Sequence, residues 1–280
     1  MEETRLPSFI VVGPPRTGTS WLHKVLTPYA NLPAPTKETR FFDLHFNKGF
    51  DWYLSHFTAD DGHGPMGEVA PTYFVSADAR QRIAKSIPNV KLIFMFRNPV
   101  QRVVSLYRMK RAYGMIPWDF EEALEKDAEL ISSGMYSTQF AEWRRMFPDH
   151  QMLVTIYDDL RSEPQQFIDT ITSFLNIPHI TLDDSTLARV YSSEKMTQPR
   201  SYFATRTATA FAEWCKARRL DQLVASVRKS ALIKLFLGGG DPLTEASPVA
   251  LQRLGERFRP EVEGLELFLG RHLEAWKINE

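Results

Sequence analysis

The stretch Phe9-Ile-Val-Val-Gly-Pro-Pro-Arg-Thr-Gly-Thr-Ser20 decides the fold. Its first four residues form a short apolar, β-branched run, which predicts a buried strand. The next segment, Thr19 to Leu26, spaces its large apolar residues as on one face of a helix. A glycine-containing loop between a strand and a helix turns backbone N–H groups and the positive end of the helix dipole toward an anion. Residues 13–20, here called the anion loop, therefore predict a phosphate or sulfate site.

The anion loop fits the frame G-x-x-x-x-G-K-[ST] of nucleoside triphosphatases, except that Thr19 stands where the lysine is expected. A kinase or ATPase with such a loop also uses Mg²⁺ held by a strand-end aspartate. The second buried run, Val90–Phe96, is instead followed by Arg97. We infer that Arg16, Arg97 and backbone amides neutralise the bound anion, and we predict that no metal is required.

Strand and helix patterns alternate along the chain. This alternation predicts an α/β fold with a central parallel sheet flanked by helices, which we take as a single domain over residues 1–280. The anion loop, with the family resemblance described below, implies a P-loop-like nucleotide fold. Residues 205–280 are expected to be its helical carboxyl-terminal portion, interrupted at Gly238–Pro242. The predicted strands are Phe9–Val12, Gly67–Pro71 (a short strand and turn), Val90–Phe96 and Met152–Tyr157; the predicted helices are Thr19–Leu26, Phe50–Phe57, Ser76–Ile87, Pro99–Tyr113, Phe120–Ile131, Tyr136–Phe147, Pro164–Leu175, Ala204–Leu237 and Ser247–Trp276.

Composition limits the classes of partner. Among 280 residues, Lys plus Arg and Asp plus Glu number 34 each, so the chain has no net charge with which to attract nucleic acid. The single cysteine, Cys215, excludes an intrachain disulfide and a cysteine metal cluster. The charged amino-terminus lacks a secretory pattern, and no run of about 18 apolar residues occurs. We expect a cytoplasmic protein, most simply a bacterial one, without a membrane span.

The segment Pro15-Arg-Thr-Gly-Thr-Ser-Trp21 resembles the 5′-phosphosulfate loop, P-K-[ST]-G-T, of sulfotransferases that use 3′-phosphoadenosine-5′-phosphosulfate (PAPS). Arg16 replaces the commoner lysine and keeps its charge. The resemblance implies that the donor's 5′-phosphosulfate is bound by Arg16, Thr17, Gly18, Thr19 and Ser20, with Trp21 near the adenine.

The segment Arg97-Asn-Pro-Val-Gln-Arg-Val-Val-Ser105 resembles the 3′-phosphate motif of the same family, R-[DN]-P-x-x-R-x-x-S. Asn98 can cap a helix whose first turn contains Pro99. Ser105 lies two helical turns beyond Arg97, so a guanidinium and a hydroxyl can converge on one phosphate. Arg102 is expected either to face outward or to support the loop.

A third segment, Lys195-Met-Thr-Gln-Pro-Arg-Ser201, is similar to the N-x-x-x-x-P-R-S stretch of bacterial sulfotransferases. The resemblance implies that Arg200 closes over the 3′-phosphate. Lys195 is the alternative cation for this role.

The segment Lys37-Glu-Thr-Arg-Phe-Phe-Asp43 resembles the K-E-x-x-F-F-[DN] segment of glycosaminoglycan-type sulfotransferases, such as those acting on heparan sulfate. The resemblance implies that Glu38 is the base that takes the acceptor proton. Histidine has this role in the cytosolic hormone and phenol sulfotransferases, so His45 is kept as the alternative and His23 as a weaker one.

The likeness to the glycosaminoglycan group continues through Lys48–Tyr53, similar to K-G-x-x-W-Y, and Gly67–Tyr73, similar to E-K-[ST]-P-x-Y. Val69 departs from this pattern because it stands where those enzymes have a lysine, which argues against a polyanionic sugar acceptor.

These motifs predict an enzyme that transfers the sulfuryl group of PAPS to a hydroxyl or amine and releases adenosine 3′,5′-bisphosphate. The acceptor is a small molecule, glycan or lipid, and homo-oligomer formation is left open. A P-loop small-molecule kinase and a PAP-binding protein without turnover are the alternatives.

Overall fold

The computed structural model describes residues 6–58, 64–191, 205–207, 211 and 246–277. Its strands are β1 (Phe9–Val11), β2 (Gly67–Val69), β3 (Lys91–Phe96) and β4 (Met152–Ile156). All adjacent pairs are parallel, in the order β2-β1-β3-β4. The predicted α/β class, with a central parallel sheet flanked by helices, is confirmed.

Helices and helical turns account for most of the described residues between and after the strands. The α-helices are α1 (Thr19–Leu26), α2 (Gly49–Leu54), α3 (Ala77–Ser86), α4 (Pro99–Ala112), α5 (Phe120–Lys126), α6 (Ala128–Ser132), α7 (Tyr136–Arg144), α8 (Tyr157–Ser162), α9 (Pro164–Leu175), α10 (Asp184–Tyr191) and α11 (Pro248–Leu269). A π-helical turn covers Phe41–His45, and 3-10 turns cover Phe46–Lys48, Pro71–Tyr73, Asp149–Gln151 and Glu274–Trp276.

Both faces of the sheet are covered, because successive strand residues point to opposite sides. Ile10, Phe94 and Phe96 pack into an aromatic-rich cluster with α3, α7 and the turns around Phe41–His45. Val11 and Ile93 pack into an aliphatic cluster with α1 and α9. The strand residues are therefore mostly apolar, as expected for strands buried on two sides; the polar ones are Glu68 in β2, Lys91 at the start of β3 and Thr155 in β4.

Two helix predictions needed correction. The expected single helix Phe120–Ile131 is broken at Asp127, whose backbone leaves the helical region (φ −111°, ψ 91°) while its carboxylate accepts a hydrogen bond from Glu129 N at 3.2 Å. An aspartate readily caps the next helix instead of continuing the first. The expected helix Ser247–Trp276 ends at Leu269, because Gly270 adopts the left-handed conformation typical of a helix carboxyl cap.

The carboxyl-terminal turn Glu274–Trp276 packs near the end of β3. Trp276 Nε1 donates to Asp158 Oδ2 at 2.6 Å, and Asn98 Nδ2 donates to Ala275 O at 3.5 Å. The Trp276 ring also lies 6.3 Å from the ring of Tyr136. Assignment of residues 205–280 to the helical portion of the same domain stays a prediction, since most of 205–245 lies outside the described ranges.

The order of the strands places the carboxyl ends of β1 and β3 next to each other. The chain passes from β1 to β2 on one side and then to β3 on the other side of β1. The carboxyl ends of β1 and β3 are therefore adjacent at a topological switch point, where parallel α/β sheets bind ligands. The anion loop leaves β1 and Arg97 leaves β3 at this point.

Gly13 allows the anion loop to lie directly on β3. Val12 N donates to Ile93 O at 2.9 Å, which continues the pairing of the two strands one residue beyond β1. A Cβ atom on the next residue, Gly13, would lie 2.4 Å from the backbone nitrogen of Met95. Only glycine fits at this distance without moving the backbone.

We expect Gly13→Ala to destabilise the protein, because the added methyl group forces the loop away from the β3 backbone. Overpacking of this kind costs about 1–3 kcal/mol, so the midpoint of thermal unfolding should fall by roughly 5 °C. Gly270→Asn is the control: Gly270 has φ +61° with nothing within 4 Å of an added Cβ, and asparagine tolerates this conformation. If Gly13→Ala unfolds at the same temperature as the control, the close approach of Gly13 to the β3 backbone is contradicted.

Candidate active site

The backbone of the anion loop has a positive φ at two residues, Gly18 and Arg16. Gly18 caps α1 with φ 97°, and Arg16 also has a positive φ of 74°. Thr17 is fully buried and its Oγ1 donates to Pro14 O at 2.8 Å, which fixes the loop from inside. A non-glycine residue in this backbone region is uncommon and is found most often at functional sites.

The two predicted anion-binding motifs meet. Arg16 Nε donates to Ser105 Oγ at 3.0 Å, and Arg97 Nη1 lies 3.5 Å from the carbonyl oxygen of Arg16. The predicted residues of the 5′ and 3′ sites are therefore neighbours at the rim between β1 and β3. Their binding to a nucleotide stays a prediction.

Arg97 is a largely buried cation whose contacts in the described part of the chain are with neutral groups. Its guanidinium lies 4.7 Å from the centre of the Tyr157 ring, and Nη2 lies 3.4 Å from Gln101 Oε1. Its Nε is buried without a hydrogen-bond partner. Burial lowers the pKa of Arg97, yet a guanidinium stays charged in proteins. No ion pair of Arg97 with a carboxylate occurs within the described residues, so no direct contact there neutralises its charge.

The backbone around Arg97 is held by buried side chains. Tyr136 Oη donates to Arg97 O at 2.7 Å, and Asn98 accepts from the N–H groups of the first turn of α4. Arg102 is fully buried, and its Nη2 donates to Leu130 O at 2.5 Å. Of the two orientations expected for Arg102, the outward one is therefore wrong, because the side chain is fully buried and donates to Leu130 O in α6.

Lys37 connects Glu38 to the anion loop, because its ammonium group contacts both Glu38 and Ser20. Lys37 Nζ is 3.0 Å from Glu38 Oε1 and 3.5 Å from Ser20 Oγ, in the first turn of α1. About a quarter of each side chain of the Lys37–Glu38 ion pair is exposed, 25% and 26%. The Glu38 carboxylate is therefore partly accessible to solvent. No role was predicted for Lys37, although it stands in the quoted motif.

The two alternative histidines have different surroundings. His45 lies at the end of the π-helical turn with its ring 5.3 Å from Trp52, and burial, followed by Lys48, lowers its pKa. No described contact joins His45 to the anion loop. His23 lies on α1, and burial, followed by the charge of Lys37, lowers its pKa to about 4. His23 is therefore neutral at pH 7.

The Trp21 side chain contacts residues of α9 and α10. Its Nε1 donates to Thr186 O at 3.2 Å, and its ring makes an edge contact with Phe167 at 6.2 Å. Its contact with adenine stays a prediction. The predicted closing cations Arg200 and Lys195 lie outside the described residues.

A buried carboxylate was missed by the sequence reasoning. Glu68, in β2, is fully buried, and its Oε1 accepts from both Thr39 N and Thr39 Oγ1 at 2.7 Å. Its Oε2 accepts from Tyr53 Oη at 3.0 Å and Tyr73 Oη at 3.1 Å. Glu68, Tyr53 and Tyr73 all stand in the quoted motifs, but nothing in their spacing indicates that three segments meet on one carboxylate.

One group of three potential metal ligands occurs within the described ranges, Glu266, His272 and Glu274 at the end of α11. Lys277 Nζ already lies 2.7 Å from Glu266 Oε2. The expectation that the enzyme requires no metal stays a prediction. In the part of the chain that the structure describes, no helix has the length and apolar character needed to cross a membrane.

Comparisons with known proteins agree with the motifs. The family model described as "Sulfotransferase domain" matches residues 6–219. The human bifunctional heparan sulfate N-deacetylase/N-sulfotransferase 2 is 29% identical over 196 residues, covering 62% of this chain and 22% of that protein. The corresponding enzyme 1 of Xenopus laevis is 30% identical over 210 residues, covering 66% of this chain and 24% of that protein. This chain thus spans less than a quarter of the length of these relatives.

A solved structure gives the same fold over nearly the full length. The crystal structure of a sulfotransferase from Alicyclobacillus acidocaldarius has a TM-score of 0.69, with 21% sequence identity, 98% of this chain covered and 99% of that chain covered. At this identity the likeness supports the fold alone.

We expect Arg97→Ala and Ser105→Ala each to weaken binding of adenosine 3′,5′-bisphosphate. Loss of a charged hydrogen-bond partner costs about 1.5–3 kcal/mol and loss of a hydroxyl about 1 kcal/mol, so Kd should rise roughly 10- to 100-fold and about 5-fold. Calorimetric titration measures both values. Arg108→Ala, an exposed arginine on the same helix, is the matched control; unchanged affinity in both test variants would remove Arg97 and Ser105 from the site.

Proposed function

The chain belongs to the sulfotransferase family, and on that premise we propose that it transfers the sulfuryl group of PAPS to a hydroxyl or amine and releases adenosine 3′,5′-bisphosphate. The observation that carries this proposal is the meeting of Arg16, Arg97 and Ser105 at the ends of β1 and β3. A nucleotide with phosphate at both its 5′ and 3′ positions needs two adjacent anion sites. This rim offers two guanidinium groups and a hydroxyl for them.

The anion loop suits a sulfated donor better than a triphosphate. Thr19, in the place of the triphosphatase lysine, is only 3% exposed and carries no charge. Arg16 and the N–H groups at the start of α1 would bind the 5′-phosphosulfate, and Arg97 with Ser105 would bind the 3′-phosphate. We propose that this set of residues needs no metal to neutralise the donor.

In the proposed reaction PAPS supplies an electrophilic sulfur with a phosphate leaving group. Glu38 accepts the proton of the acceptor as its oxygen or nitrogen forms the new bond to sulfur. Arg16 and the N–H groups of α1 stabilise the charge that develops on the bridging oxygen as its bond to sulfur breaks. Lys37 bridges Ser20 and Glu38 and so holds the base beside the loop.

The acceptor is proposed to be a glycan, lipid or small molecule with a free hydroxyl or amine. The names of the relatives support an amine, since they describe N-sulfotransferases acting on heparan sulfate. Val69 is fully buried and offers no cation where that group has lysine. This difference favours an acceptor with less negative charge than heparan sulfate.

We expect adenosine 3′,5′-bisphosphate, but not ATP with Mg²⁺, to stabilise the protein. Ligand at about 100 times Kd adds about 2.7 kcal/mol, which corresponds to a rise of roughly 5 °C in the midpoint of thermal unfolding. Adenosine 5′-phosphate, which lacks the 3′-phosphate, is the control and should give a smaller rise. Selective stabilisation by ATP with Mg²⁺ would contradict the proposal and favour the kinase alternative.

We expect Glu38→Gln to lose turnover while keeping the affinity for adenosine 3′,5′-bisphosphate, because a base acts on the acceptor and not on the donor. Removal of a general base lowers kcat by about 100- to 10,000-fold. The assay follows radiolabelled sulfate from PAPS, either released to water or transferred to N-deacetylated heparosan or 4-nitrophenol. Full turnover in Glu38→Gln, with loss in His45→Asn, would move the base to His45.

A further inference from the structure

Glu68 is a carboxylate with an unusual environment for a residue that touches neither the anion loop nor Glu38. It accepts four hydrogen bonds, all from neutral donors: two from Thr39, one from Tyr53 and one from Tyr73. A buried carboxylate without a cation is costly, and it persists where its hydrogen bonds hold a particular arrangement. The arrangement it holds is that of the segment containing Glu38.

Thr39 connects Glu68 with the proposed base, because Thr39 directly follows Glu38 in the chain. Both the backbone N–H and the hydroxyl of Thr39 donate to the same oxygen of Glu68. The Thr39 hydroxyl oxygen in turn accepts from Phe41 N at 3.1 Å. These hydrogen bonds fix the position and the orientation of the peptide group that joins Glu38 to Thr39.

The next residue, Arg40, shows why such fixing is needed. Arg40 has a φ of 54°, in the region that L-residues rarely adopt, and the π-helical turn begins immediately after it. Beyond it, Phe42 N donates to Tyr73 Oη at 3.3 Å. The network centred on Glu68 therefore holds the chain on both sides of a strained residue.

We propose that Glu68 is a positioning residue, which holds Thr39 so that the Glu38 carboxylate stays beside Ser20 of the anion loop. The proposal rests on the proposed function of Glu38 as base. Glu68 touches no reacting atom; it acts through Thr39 directly and through Tyr73, which accepts from Phe42 N.

A carboxylate is required for this arrangement, and an amide is a poor substitute. Glu68 Oε2 accepts from two tyrosine hydroxyls. In Glu68→Gln one of the two oxygens is replaced by an NH₂ group, which donates and cannot accept. In one orientation of the amide the hydroxyls of Tyr53 and Tyr73 lose their acceptor, and in the other the N–H and hydroxyl of Thr39 lose theirs. We expect Thr39 to move in both cases.

The ionisation of Glu68 agrees with this reading. Burial raises its pKa to about 7, although the hydrogen bonds from Thr39, Tyr53 and Tyr73 oppose the rise. The titratable groups that face it are Tyr53 and Tyr73, whose own pKa values lie well above the usual one because of burial and the nearby Glu68. Below pH 7 Glu68 therefore gains a proton and loses the ability to accept all four bonds, as glutamine does.

The test compares Glu68→Gln, Thr39→Val and Thr39→Ser with the wild type, using sulfate release from PAPS with water as acceptor. A misplacement of the base of about 1 Å lowers kcat by up to about 100-fold, so at pH 8 we expect a loss of about 10- to 100-fold in Glu68→Gln. Thr39→Val, which keeps Glu68 and removes one donor, should show a smaller loss, and Thr39→Ser should match the wild type. KM for PAPS should stay unchanged in all three.

The pH dependence separates positioning from simple loss of stability. The ratio of wild-type to Glu68→Gln kcat should fall toward one between pH 8 and pH 6, because wild-type Glu68 is then protonated. Thr172→Val is the control: Thr172 is buried in α9 and its Oγ1 donates to Asp169 O at 3.0 Å, remote from Glu38. It removes a comparable hydrogen bond and should leave kcat and its pH dependence unchanged.

Hydrogen exchange of the ligand-free protein gives a readout that does not need turnover. In Glu68→Gln and Thr39→Val, exchange should rise at Thr39–Phe42 and stay unchanged in α1. Wild-type turnover and exchange in Glu68→Gln and Thr39→Val would overturn the positioning role. Faster exchange at Thr39–Phe42 with full activity in Glu38→Gln would instead overturn the proposed base.

Discussion

The hydrogen bond between Arg16 Nε and Ser105 Oγ, 3.0 Å long, joins two motifs that are 89 residues apart. It forms because β1 and β3 are parallel neighbours and because Gly13 lets the anion loop lie against the β3 backbone. Without that approach, Arg16 and Arg97 would belong to separate surfaces. The sheet therefore creates the site by bringing two strand ends together, and the helices α1 and α4 then aim their first turns at the same rim.

The buried charged residues on the β3 side and on the β2 side of the site have opposite signs. On the side of β3, buried cations dominate: Arg97 lies against Tyr157, and Arg102, on α4, is fully buried and donates to Leu130 O. On the side of β2, the buried charge is the opposite one, Glu68, surrounded by hydroxyl groups. Arg97 keeps a buried N–H group, Nε, without a hydrogen-bond partner in the described residues, whereas both oxygens of Glu68 accept two hydrogen bonds each. The proposed binding of a phosphate therefore concerns the β3 side of the site, and the proposed positioning role concerns the β2 side.

The sequence predicted the parts of the structure whose signals are local. The bounds of Thr19–Leu26 and Pro164–Leu175 agree with the structure to the residue, because apolar spacing marks both helices and Pro164 lies in the first turn of the second. The break at Asp127 was missed because aspartate is compatible with either a helix interior or a cap, and packing makes the choice. The hydrogen bonds of Glu68 and the placement of Trp21 depend on contacts between distant segments, which no window of sequence displays. The motifs indicated the residues around the anion loop, but the partner of each side chain had to come from the fold.

The docking of the turn Glu274–Trp276 against Asn98 and Asp158 has a consequence for biogenesis. Domains fold during synthesis from the amino-terminus, and contacts between distant segments wait for the later segment. The ribosome must translate about 180 further codons after Arg97 before Trp276 can reach Asp158 and Tyr136. Until then the end of β3 lacks the contacts of this turn, so a nascent chain completes the packing around Asn98 late in translation, long after the anion loop and α4 have been synthesised.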